Sequence, residues 1–137
     1  MPPDDYHPLY LGGIERFNRR DYFESHEVWE NLWNVERGPA KKFYQGLIQA
    51  AVALHHLANG NHRGADKLLA RCRWHLSPYR PKYMGLDVER FLAQMADCFA
   101  GRPEGCGCRS QACLEQVPQI SLDAPEGKCR MLKQGEG

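Results

Sequence analysis

The stretch from Asp21 to Glu36 reads DYFESHEVWENLWNVE and sets an imidazole and a carboxylate one helical turn apart inside an aromatic stripe. Wound at about 100° per residue, it places Tyr22, Phe23, Trp29 and Trp33 on one face, with His26 and Glu30 in the same arc. Glu24, Asn31 and Asn34 fall on the opposite side. A polar group buried on an apolar face without a partner costs roughly 2–7 kcal/mol. The face must therefore either build a polar cluster or stay open to a ligand. A later segment supplies candidate partners: Gln45, Gln49 and His56 recur at spacings of four and seven, with Val52 between them. Packed against His26 and Glu30, that stripe would give one pocket with two imidazoles, a carboxylate and two amides, floored by Trp29 and Trp33.

Three kinds of chemistry fit such a pocket. In the first, His26 and Glu30 ligate a divalent metal, and Glu27, at the edge of the arc, acts as general base in a hydrolytic reaction. The pattern is HExxE, which lacks the second histidine of the zinc-protease signature, and no second Glu-x-x-His pair accompanies it. In the second, the cluster is a structural hydrogen-bond network: Glu30 accepts from His26 or the glutamine amides, and the indole N–H groups seek acceptors. In the third, the same residues line a groove for a small ligand or a protein partner. The residue types favour a helical binding or interaction module, with the metal-dependent enzyme as the alternative. No Ser-His-Asp order, phosphate loop or dinucleotide fingerprint is present, so no substrate is indicated. Whether the protein is an enzyme is left open.

A separate metal candidate lies near the C-terminus. Cys106, Cys108, Cys113 and Cys129 follow C-x-C-x4-C-x15-C, and four thiolates can hold one zinc ion tetrahedrally. Zinc knuckles use C-x2-C instead, and reduced, unstructured thiols are the competing reading. Cys72 and Cys98 fall in helical patterns and read as small core residues. His55 points about 100° from His56 and reads as a packed or capping histidine, while His62 and His75 read as surface residues. Arg71, Arg73 and Arg80 with Trp74 and Tyr79 form a basic-aromatic cluster that could contact an acidic partner or RNA; with a net charge of +1 it reads as a solvated face.

The elements that must position these residues are helical. A chain of 137 residues, 42% apolar and 26% charged, supports one folded domain. The formal net charge of +1 argues against a general nucleic-acid or membrane-surface binder. No apolar run is long enough to span a bilayer, and MPPDDYHPLY lacks the features of a secretory signal, so a cytoplasmic protein is expected. A homo-oligomer is open, because the aromatic surplus suits an interface as readily as a core. The periodicity predicts helices from about Leu9 to Arg19, Asp21 to Glu36, Ala40 to Ala58, His62 to Leu76 and Asp87 to Ala100. Gly12–Gly13 weaken the first. Asp21 with Glu24 resembles a capping box for the second, which Gly38-Pro39 ends. Asn59-Gly60-Asn61 turns the chain between the third and fourth. The fold expected is all-α: a compact bundle of about five helices arranged as hairpins over residues 1–101, followed by a flexible, irregular tail over 102–137.

A weak internal repeat supports this layout. FNRRDYFESHEVWENL (Phe17–Leu32) aligns with LANGNHRGADKLLARC (Leu57–Cys72) at an offset of about 40, matching Asp21 with Asn61 and Ser25 with Ala65. The unit looks similar to a tetratricopeptide-type hairpin, although its period is longer and two copies are too few for a solenoid. The sharper resemblance rests on FNRRDYFESHEVWENLW (Phe17–Trp33), FYQGLIQAAVALHHLANGN (Phe43–Asn61) and RGADKLLARC (Arg63–Cys72). In order and spacing these segments resemble the small helical proteins of domain-of-unknown-function family 309. That resemblance implies an all-α fold of packed hairpins and carries no established activity. It does not extend to the cysteine-bearing tail.

Overall fold

A computed structural model describes residues 6–100 and 118–122. Within them the chain forms five α-helices: α1 (Pro8–Asn18), α2 (Tyr22–Val35), α3 (Ala40–Ala58), α4 (His62–Leu76) and α5 (Val88–Ala100). The all-α class and the hairpin arrangement are as expected. α1 packs on α2, and α3 packs on both α2 and α4. The central place of α3 follows from its composition. It has no charged residue beyond Lys42, and Phe43, Leu47, Leu54 and Leu57 are fully buried. No helix among the described residues is long and apolar enough to cross a membrane.

Small residues set how closely the helices approach. A Cβ on Gly13 would fall inside the Trp29 indole, so α1 comes against α2 there, and Ser25 Oγ seals the contact by donating to the Gly13 carbonyl at 2.9 Å. A Cβ on Gly46 would sit 2.6 Å from the Leu76 side chain, which brings α3 equally close to α4. The glycines that weaken a helix by propensity are here the condition of its packing.

The repeat is realised in the turns. Arg20 and Gly60, forty residues apart, both take a left-handed conformation, at φ 69 and 80. Asp21 N donates to Arg16 O at 2.9 Å, and Asn61 N donates to His56 O at 2.9 Å. Ser25 N bonds Asp21 O, as Ala65 N bonds Asn61 O. The two N-caps differ in chemistry. Asn61 Oδ1 accepts from Gly64 N at 3.0 Å, whereas the Asp21 side chain makes no capping bond. Glu24, the expected partner of Asp21 in a capping box, lies 3.7 Å from Arg16 instead.

After α4 a short 3-10 turn (Ser77–Tyr79) leads to a small hairpin, β1 (Lys82–Tyr83) and β2 (Leu86–Asp87), in the stretch between the two helices expected from periodicity. Its two-residue turn puts Met84 and Gly85 at φ 49 and 77, the twist that suits a tight hairpin. Tyr10 Oη fixes it by donating to Met84 O at 3.0 Å. α5 then lays Val88, Phe91 and Met95 into the core, with Phe91 and Phe17 ring centroids 5.8 Å apart. Residues 118–122 return to the body. Asn18 Nδ2 donates to Ile120 O and Ile120 N donates to Asn18 Oδ1, both at 2.8 Å, and Ile120 is buried. Cys106, Cys108, Cys113 and Cys129 lie outside the described residues.

Candidate binding site

α2 and α3 bring together a different set of side chains from the one the polar stripe suggested. Phe23 stands half-exposed on α2, its ring centroid 5.2 Å from that of His26 and 5.6 Å from that of His55 on α3. His56 follows, 6.2 Å from His55. With Tyr22 and Val52 these residues line a cleft of about 340 Å³. The α3 contribution has a helical logic, since Val52, His55 and His56 stand at i, i+3 and i+4 and so share a face. That spacing was readable in the sequence. Taking His55 to point away from the site overlooked that α2 covers the arc between the two histidines.

The hydrogen bonds orient each ring. His26 Nδ1 lies 2.9 Å from the Phe23 carbonyl and so donates to it. Asn61 Oδ1 is held by Gly64 N, so its Nδ2 faces His56 Nδ1 at 3.3 Å as donor and leaves the proton of the neutral ring on Nε2. Asn59 Nδ2 lies 3.3 Å from His55 Nε2. Burial lowers the pKa of His55, and the neighbouring His56 and His26 lower it further. His55 therefore favours the neutral imidazole, a ring with one donor and one acceptor.

The expected pocket does not assemble as a unit. His26 Nε2 and Glu30 Oε2 lie 3.8 Å apart, an i, i+4 surface contact that is an ion pair only when the imidazole is protonated, and Glu30 is half-exposed. Gln49 is buried toward α4, where its Oε1 accepts from His75 Nδ1 at 2.8 Å. That bond clips α3 to α4 and makes His75 a structural residue as well as a surface one. Gln45 is half-buried elsewhere on α3. The reason is topological: α4 covers the Gln49 side of α3, so that amide meets α4 and not α2. Trp29 is not the floor of an open site. It is fully buried, and its Nε1 donates to Tyr10 O at 3.2 Å. Trp33 packs under Lys41, whose Nζ lies 3.9 Å from the ring centroid and donates to Trp33 O at 2.8 Å, capping the end of α2. Glu27 is exposed. Among the described residues no three His, Cys, Asp or Glu side chains are placed to hold a metal ion.

Fold and site together define an all-α protein of two stacked hairpins with an aromatic–imidazole cleft between its second and third helices. Residues 10–68, which supply both walls of that cleft, match the family described as "Domain of unknown function (DUF309)", and they are a domain of that family. The chain is similar to the uncharacterized protein YpuF of Bacillus subtilis (strain 168), at 35% identity over 98 residues, covering 69% of this chain and 56% of that protein. It is also similar to an uncharacterized protein of Aquifex aeolicus (strain VF5), at 24% identity over 90 residues, covering 65% of this chain and 27% of that one. The chain thus spans about half the length of the first relative and about a quarter of the second.

Proposed function

We propose that the protein is a cytoplasmic binding module whose α2–α3 cleft takes a small ligand. The observation that carries this reading is the convergence of a half-exposed Phe23 with His26, His55 and His56 around about 340 Å³ of open space. Small-molecule sites are concave, apolar-walled and furnished with a few oriented polar groups, in the range of roughly 300–1,000 Å³. Tyr22, Phe23 and Val52 supply the walls. The imidazoles supply donors and acceptors whose directions are set by Phe23 O, Asn59 and Asn61. Such a site suits a flat, uncharged or weakly acidic heterocycle that stacks on Phe23 and exchanges hydrogen bonds with neutral imidazole. Cytoplasmic residence accords with Cys72, a buried thiol outside any disulfide.

The test is a fragment screen followed by amide chemical-shift mapping. Binders should move the resonances of Phe23, His26, His55 and His56 together, and Phe23→Ala should abolish those shifts while leaving the helical circular dichroism intact. Fragments that bind only elsewhere, or none that bind at all from a broad heterocycle set, would sink the reading.

A further inference from the structure

The net charge of +1 conceals a division of charge across α3. α2 carries Glu24, Glu27 and Glu30 and no Lys or Arg, whereas α4 carries Arg63, Lys67, Arg71 and Arg73 against the single Asp66. From Lys67 to Lys82 the chain has five Lys or Arg residues and no carboxylate. Since α3 packs against both α2 and α4, the acidic and basic helices flank it. The net charge is therefore a poor guide to what the α4 flank attracts.

That flank also holds a groove of about 580 Å³, lined by Lys42, Trp74, His75, Ser77, Pro78 and Tyr79. Its walls are mainly apolar, and Trp74, 70% exposed, offers most of its indole to the groove mouth. Cations rim it. Lys42 forms part of the wall, and Arg71 stands one turn before Trp74 and His75 on the same helical face. Arg80 is held beside the groove by its Nε bond to Ser77 O at 3.3 Å. The His75–Gln49 bond and the Tyr79 Oη bond to Pro39 O at 2.6 Å fix the groove's base to α3 and the residue before it.

We infer that this groove docks an acidic protein segment, one aliphatic or aromatic side chain seated against Trp74 and Pro78 with flanking carboxylates on Lys42, Arg71 and Arg80. An apolar slot inside a cationic rim is complementary to an apolar anchor between acids. A single-stranded nucleic acid fits less well, because it needs successive exposed rings to stack its bases. Trp74 alone is well exposed here. The Tyr79 ring is engaged by Phe43 and Tyr83, at centroid distances of 5.3 and 4.6 Å.

The experiment pans the full chain against a random-peptide display library, with Trp74→Ala protein as counter-selection, and measures enriched peptides by fluorescence anisotropy. Enriched sequences should combine at least two Asp or Glu with a large apolar residue. Trp74→Ala and the double variant Arg71→Glu, Arg80→Glu should each weaken them by roughly tenfold or more. Raising salt should weaken them too, and Phe23→Ala on the far flank should not. All the positions changed on this flank are exposed, and circular dichroism confirms that each variant folds. Enrichment of peptides without acids, enrichment indifferent to Trp74, tighter binding of a labelled oligothymidine, or a stable Trp74-dependent dimer would each overturn the inference.

Discussion

At the scale of single residues, His55 is where environment changes chemistry most directly. Burial and two neighbouring imidazoles hold its pKa below the ordinary value, so on acidification the unfolded chain takes up this proton before the folded one does. The state that binds more protons gains as pH falls, and here that is the unfolded state. The stability His55 allows is therefore complete above about pH 6.5 and is lost as pH drops through the histidine range. His26 and His56 face it within the cleft, and Glu30 Oε2 lies 3.8 Å from His26 Nε2. His55→Asn removes the penalty. Melting curves between neutral and mildly acidic pH should show a shallower fall for the variant than for the parent. A fall of equal slope in both would remove His55 as the cause. A ligand that accepts from or donates to neutral imidazole should, for the same reason, bind less well in acid.

At the scale of elements, the two hairpin turns make a matched comparison. Asn61→Ala removes a real side-chain cap and should cost about 1 kcal/mol, while Asp21→Ala at the equivalent site should be nearly neutral. Arg20 holds the left-handed position that Gly60 holds without steric cost, so Arg20→Gly should stabilise the fold by up to about 1 kcal/mol. Urea titration of the three variants decides both points, and equal losses at Asp21 and Asn61 would contradict the first. This is also the scale at which the sequence was most legible. The limits expected for α3 and α4 agree with those observed, because Gly38-Pro39, Asn59-Gly60 and Ser77-Pro78 punctuate strongly periodic runs. The β-hairpin was not legible, since strands of two residues carry no period and its turn has Met84 where Asn or Asp is usual. The site was legible only in part. Its chemistry-bearing residues on α2 were visible, but the partner of each depends on which neighbour covers which side of α3, and spacing along one helix does not encode that. Gln49 went to His75 for this reason, and His55 came to Phe23.

At the scale of the whole molecule, residues 118–122 tie a distant part of the chain to α1, with Gln119 and Ser121 lining a cleft beside Arg90, Phe91 and Gln94 of α5. Asn18 uses both edges of its amide as a strand would use its backbone, and Gln119 Nε2 adds a bond to Asn18 O at 3.3 Å. Asn18→Ala should release the segment. Hydrogen–deuterium exchange at residues 119–121 should accelerate while α3 stays protected, and unchanged exchange there would show that Ile120 burial alone suffices.

Among the described residues, acidic α2 and basic α4 lie on either side of α3, with Arg16 offsetting Glu24, and unlike charge so divided gives a nearly neutral body a dipole. In dilute buffer each molecule turns its glutamate side toward a neighbour's arginine side, so the average force between molecules is attractive although neither bears much charge. Added electrolyte shortens the reach of that force to about 8 Å near physiological strength. Solubility should therefore rise with salt at first, the reverse of what a uniformly charged protein shows. Static light scattering should report a second virial coefficient that climbs from negative toward zero across that range, and one that fell instead would mean the flanks do not sense each other.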